Sequence, residues 1–74
     1  MKRVVNTYIK TKISKLKIGD LFEKEKGKKV YIYGGKVRMY NKWGDYKGWG
    51  FSYGAYDDIS SYYETMSDIN VTRL

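Results

Sequence analysis

Apolar and polar positions alternate with period two through Lys29-Val30-Tyr31-Ile32-Tyr33. They do so again through Lys36-Val37-Arg38-Met39-Tyr40, with Gly34-Gly35 between the two runs. Alternation of this kind marks half-buried strands. Glycine adopts positive φ without steric cost, which a two-residue hairpin turn demands. The pattern therefore predicts a hairpin turning at Gly34-Gly35. Tyr33 then faces Lys36, Ile32 faces Val37, Tyr31 faces Arg38, Val30 faces Met39 and Lys29 faces Tyr40. Opposed residues share a sheet face. Val30, Ile32, Val37 and Met39 form the expected core face. Lys29, Tyr31, Tyr33, Lys36, Arg38 and Tyr40 form a basic, aromatic face.

A second hairpin is expected next, with residues 36–43 as one arm, Gly44-Asp45-Tyr46-Lys47-Gly48 as the loop and residues 49–53 returning. An earlier strand is expected at Leu21-Phe22-Glu23-Lys24, led in by Ile18-Gly19-Asp20 and turning near Glu25-Lys26-Gly27-Lys28. The period changes at Ile59, Tyr62, Tyr63 and Met66, which follow i, i+3, i+4, i+7 spacing. With Asp57 or Asp58 as N-cap, that spacing predicts a short helix near 58–66. Ile69-Asn70-Val71-Thr72 reads as a last strand. Residues 1–16 form an N-terminal extension that fits a helix by the spacing of Val5, Tyr8, Ile9, Ile13 and Leu16. Its β-branched start fits a strand equally. The expected fold is mostly β, or α+β: one domain spanning 1–74, with four to five short strands and one helix. A small SH3-like or OB-like barrel matches that description, since closure removes exposed edges.

Composition narrows the function. The 74 residues contain no Cys and no His, which excludes disulfides, Cys/His zinc sites and His-dependent triads. No run approaches the length of a membrane-spanning helix. The polar-interrupted start lacks a signal-peptide pattern, so the expected setting is the cytoplasm. Residues 1–48 carry 14 basic and 4 acidic side chains, a balance of +10, whereas 49–74 carry 1 and 4, a balance of −3. This asymmetry points to a half that faces a polyanion. Nine Tyr, two Trp and two Phe exceed what so small a core needs.

Cations capture phosphates, and flat rings stack bases. The two must interleave at strand spacing to track a single strand. Tyr31, Tyr33 and Tyr40 among Lys29, Lys36, Arg38 and Lys42 do so. The bland alternative is a solvated strand face, on which Lys aids solubility and Tyr merely favours strands. Lys47-Gly48-Trp49-Gly50-Phe51-Ser52-Tyr53 resembles the RNP1 motif, in which a basic residue and Gly precede alternating aromatics. With Gly35-Lys36-Val37-Arg38-Met39-Tyr40-Asn41 upstream, residues 35–53 resemble the first hairpin of cold-shock domains. That resemblance implies single-stranded RNA or DNA binding. Tyr40, Trp49 and Phe51 would stack, and Lys36, Arg38 and Lys47 would hold phosphate. A five-residue loop instead opposes Trp43 to Trp49 and Asn41 to Phe51, placing Trp49 and Phe51 on the Met39 face, in the core. A loop one residue shorter or longer places them outside.

Asp57, Asp58, Glu64 and Asp68 match no cation-loop spacing, so no metal or other cofactor is expected. No acid and base stand at recognisable spacing, so the chain is not expected to be an enzyme. The primary expectation is a small basic protein that binds RNA or single-stranded DNA by phosphate capture and stacking. The compositional style, rich in Lys, Tyr and Ile, resembles the small accessory proteins of large lytic phages. That likeness implies the alternative: an inhibitor or adaptor docking on a host protein such as a nuclease or ribonuclease toxin, with or without RNA assistance. A homo-oligomer is also expected to suit an undersized core, through strand edges or through Tyr62, Tyr63 and Met66.

Overall fold

Strand-forming residues dominate the chain, and six strands build one antiparallel sheet in the computed structural model, which describes residues 9–24 and 29–74. They are β1 (Ile9–Lys12), β2 (Leu21–Glu23), β3 (Val30–Tyr40), β4 (Tyr46–Ala55), β5 (Asp58–Thr65) and β6 (Asn70–Arg73). Their order across the sheet is β1-β6-β2-β3-β4-β5. A 3-10 turn, Ile13–Lys15, follows β1. Among the described residues β1 and β5 remain the two edges, so the sheet is open and not the expected closed barrel.

Gly34-Gly35 is not a turn. Both glycines lie inside β3, which runs through them without reversing. Tyr33 pairs with Tyr53 and Gly35 with Ser52, so β3 carries one extra residue there, a β-bulge. Gly35 takes φ +105°, where a side chain would be strained. A methyl group on Gly34 would lie 2.7 Å from Ser52 Oγ. The Ser52 hydroxyl donates to the Gly35 carbonyl at 3.1 Å and is buried in doing so. The two glycines thus serve close approach and positive φ inside a strand.

A bulge shifts the alternation by one residue. Tyr31 and Tyr33 before it therefore share a face with Lys36, Arg38 and Tyr40 after it, as the register with Tyr53, Phe51 and Trp49 requires. The grouping expected from the hairpin survives, but its burial is reversed near the bulge. The core comprises Ile13, Leu16, Phe22, Tyr33, Tyr53 and Val71, with Tyr31, Phe51 and Ile69 packed against it. Phe22 stacks on its cross-strand partner Tyr31 at 5.6 Å, and Tyr53 stacks on Tyr63 at 5.3 Å. Val30, Ile32, Val37 and Met39, expected as the core, line the opposite face and are half-buried. Rings win that contest because each buries far more area than an aliphatic side chain.

The segment expected to form a helix near 58–66 is strand β5. Five sequence positions separate Asp58 from Tyr63, opposite two positions between Ala55 and Tyr53, so β5 is strongly bulged. This bulge explains how a strand imitates helical spacing. Ile59 is thrown fully into solvent while Tyr63 lies on Tyr53. Asp58 caps a turn instead of a helix, accepting from the Ser60 amide and hydroxyl. Expected strands at residues 21–24 and 69–72 appear as β2 and β6. The lead-in at residues 18–20 hydrogen-bonds to Tyr33 through Gly19 and Asp20, both at 2.9 Å. Residues 9–16 supply β1 and the 3-10 turn, while the earlier part of that extension and the turn expected at 25–28 lie outside the described residues.

The 3-10 turn is tied down from the far end of the chain. Ile13 N–H donates to the Ile69 carbonyl, and the Ser14 amide and hydroxyl donate to the Asp68 carboxylate at 3.0 and 2.7 Å. Those two hydrogen bonds, with Lys12 and Lys15 nearby, hold Asp68 below the usual carboxylate range. A carboxyl whose pKa is depressed by folding stabilises the fold above its unfolded pKa and loses that contribution as pH falls through its folded pKa. Asp68→Asn should therefore melt below the parent protein at neutral pH. The gap should close as pH drops below about 4; a gap constant with pH would remove this role. Phe22→Ala should cost about 3–5 kcal/mol in urea unfolding, enough to unfold much of a domain this small. A change under about 1 kcal/mol would place the core elsewhere.

Candidate nucleic-acid interface

The site grows out of the unequal lengths of the strands. β2 stops pairing with β3 at Ile32, and β5 pairs no further along β4 than Phe51. β3 and β4 continue together to Tyr40 and Tyr46. Beyond the Lys36–Phe51 rung, where β5 ends its pairing at Thr65, residues 37–50 are therefore a two-stranded ribbon with no third strand paired to it among the described residues. Beyond the core, the shared face of this ribbon can no longer be covered. The face that buries Tyr33 and Tyr53 at one end exposes Lys36, Arg38, Tyr40, Tyr46 and Trp49 at the other.

Three rungs define its geometry. Lys36 pairs with Phe51, Arg38 with Trp49 and Tyr40 with Tyr46. The Arg38 guanidinium lies 5.4 Å from the centroid of the Trp49 ring. Tyr40 and Tyr46 meet edge-to-face at 5.8 Å. Arg38, Tyr40, Tyr46 and Trp49 together line an open depression. Successive rungs are about 6.6 Å apart, two strand residues at about 3.3 Å each.

The opposite face of the ribbon is smooth. Val37 pairs with Gly50 and Met39 with Gly48, so each apolar side chain meets a glycine. A methyl on Gly50 would lie 2.7 Å from the Thr65 carbonyl oxygen and would collide with Met39. Met66 lies over Gly48 from the other side. These glycines thus seat Met39 and Met66.

The register decides the placement of Trp49 and Phe51. They fall on the Lys36 and Arg38 face, not on the Met39 face, because a second bulge between Met39 and Tyr40 adds one residue to β4. Gly48, at φ +125°, accommodates that bulge. Trp49 is 54% exposed, whereas Phe51 is half-buried against the core. The loop is Asn41–Asp45, five residues like the expected 44–48 but three positions earlier. Asn41 Oδ1 accepts from the amides of Trp43 and Asp45, both at 2.9 Å, and Gly44 turns the chain at φ +86°.

Of the ten residues expected at the interface, Lys36, Arg38, Tyr40, Lys42, Lys47 and Trp49 are exposed on the ribbon and its loop. Tyr33 does not belong with them. It is 3% exposed, and burial pushes its phenol above the ordinary range. Tyr31 and Phe51 are half-buried against the core. Lys29 lies just before β3, at the opposite end from the ribbon. Sequence reasoning missed Tyr46, assigned to a loop but paired with Tyr40. Its signal was present: Tyr46 follows Asn41 at the distance a five-residue turn requires, given a bulge at Gly48.

No protein-family model, curated protein or solved structure matches this chain. The site therefore rests on its own chemistry. Its first consequence concerns the ribbon: Gly50→Ala should displace Met39 and disturb the rungs on both sides. Loss of the Arg38–Trp49 contact, read as a shift and broadening of Trp49 fluorescence or indole resonances, is the expected result. An unchanged Trp49 signal would show that the ribbon does not depend on the smooth face.

Proposed function

We propose that the chain is a non-catalytic binding protein for RNA or single-stranded DNA, working by phosphate capture and base stacking on the ribbon. The observation that carries this reading is the Arg38, Tyr40, Tyr46 and Trp49 depression on an uncovered ribbon, flanked by Lys36, Lys42 and Lys47. Rungs about 6.6 Å apart suit the spacing of unstacked nucleotides along an extended backbone. Rings provide sequence-tolerant stacking, and the cations provide the salt-dependent attraction. The likeness of residues 35–53 to the cold-shock hairpin supports the same reading. Tyr46 takes a stacking place beside Tyr40 and Trp49. Base readout is weak, because the exposed groups are π faces and point charges without a fixed donor–acceptor pattern.

Trp, Tyr and Arg clustered in one patch are also the residues of protein-binding hot spots. The ribbon therefore supports a second reading, an adaptor or inhibitor for a host protein. A pull-down before and after nuclease treatment separates the two, since a protein partner retained without RNA favours the second.

Ring and charge make separable contributions. Arg38→Ala should weaken binding of a single strand and make the slope of log affinity against log salt less negative by about 0.7, one phosphate neutralised. Trp49→Ala should lose about 1–3 kcal/mol, one stacked base, with the slope nearly unchanged. Anisotropy titrations over a range of salt read both. Absence of binding to single strands, or affinity independent of salt, would remove the proposal.

A further inference from the structure

Trp43 is not used by the platform described above. It sits in the apical loop, beyond the Tyr40–Tyr46 rung, and is 75% exposed. Its backbone is nonetheless held in place. The Trp43 amide donates to Asn41 Oδ1 at 2.9 Å, the Asp45 amide shares that oxygen, and Gly44 N–H closes the turn on the Asn41 carbonyl at 3.0 Å. The Asn41 amide donates in turn to the Asp45 carbonyl at 2.9 Å. Lys42 Nζ lies over the indole, 4.9 Å from the ring centroid. A large ring thus projects from a fixed loop backbone at the end of a stacking track, with most of its surface open.

We infer that the ribbon recognises a junction between a single strand and a duplex, with Trp43 stacking on the terminal base pair of the duplex. This rests on the reading of the ribbon as a single-strand platform and adds the kind of strand it selects. A chain lying over the Trp49 and Tyr40–Tyr46 rungs leads to the apex. A terminal base pair offers a flat face two bases wide, which covers an indole better than one unstacked base does. Duplex also carries about one negative charge per 1.7 Å of axis, twice the density of one of its strands. That is where Lys42 stands, over one face of the ring and leaving the other to the base pair. Because Asn41 fixes the loop backbone, only the indole's own rotamers remain to be frozen when it is covered.

The test uses the full chain and three oligonucleotide probes: a single-stranded tract, and the same tract as a 3′ or a 5′ overhang on a short hairpin stem. One overhang probe should bind about tenfold more tightly than the bare tract, the contribution of one stacked pair. Trp43→Ala should erase that ratio. Trp49→Ala should weaken both probes and preserve it. Equal affinities for all three probes, or a ratio retained in Trp43→Ala, would overturn the inference and leave the single-strand platform standing. No binding of any probe would overturn both. The loop is solvent-exposed, and matching circular dichroism of variant and parent confirms that the fold is intact.

Discussion

Everything distinctive about this molecule depends on one irregularity, the bulge at Gly34-Gly35. An eleven-residue strand would normally send Tyr31 and Tyr33 to the face opposite Lys36 and Arg38. The extra residue cancels that switch, and Ser52 fixes it by bonding the Gly35 carbonyl. One face can then be aromatic core at one end and cationic ring ladder at the other. Without the bulge, either the tyrosines would leave the core or the arginine would leave the ladder.

The second constraint is size. Seventy-four residues cannot cover both faces of a six-stranded sheet. The chain concentrates its burial around Phe22, Tyr33 and Tyr53, where the Ile13–Leu16 segment packs and Lys24 donates to the Tyr53 hydroxyl at 2.9 Å. That contact holds the Lys24 ammonium above its ordinary pKa. What remains of β3 and β4 is left as ribbon. Its smooth face is made tolerable to water by seating Met39 on glycine. Its other face exposes rings and charge, the combination that suits a polyanion with flat substituents.

Much of this was legible in the residues. Alternation around 30–40 identified strand residues and which of them share a face, though as two arms of a hairpin and not as one strand. The composition of those faces pointed to charge and rings together. Two things were hidden. Gly-Gly serves a primed turn and a bulge equally well, because both need positive φ and a missing Cβ. Only the partner strand decides between them, and Ser52, seventeen residues away, carries no local sign of that role. The spacing of Ile59, Tyr62, Tyr63 and Met66 likewise fits a helix and a bulged strand. Cross-strand stacking of Tyr63 on Tyr53, a tertiary contact, settles the matter. The site shifted for the same reason. Tyr33, expected on the exposed face, is buried, and Trp49, whose side the loop length left open, is exposed, because the registers at both ends of β3 differ from those of an unbulged hairpin.

The register of β3 is therefore the quantity to measure, and nuclear Overhauser effects across the ladder report it directly. The bulged strand places Arg38 beside Trp49 and Lys36 beside Phe51, so cross-strand contacts between those pairs are predicted. Contacts of Arg38 with Tyr31, or of Lys36 with Tyr33, would instead show a chain that reverses at the two glycines. Neither the shared face nor the ribbon built on it would then exist.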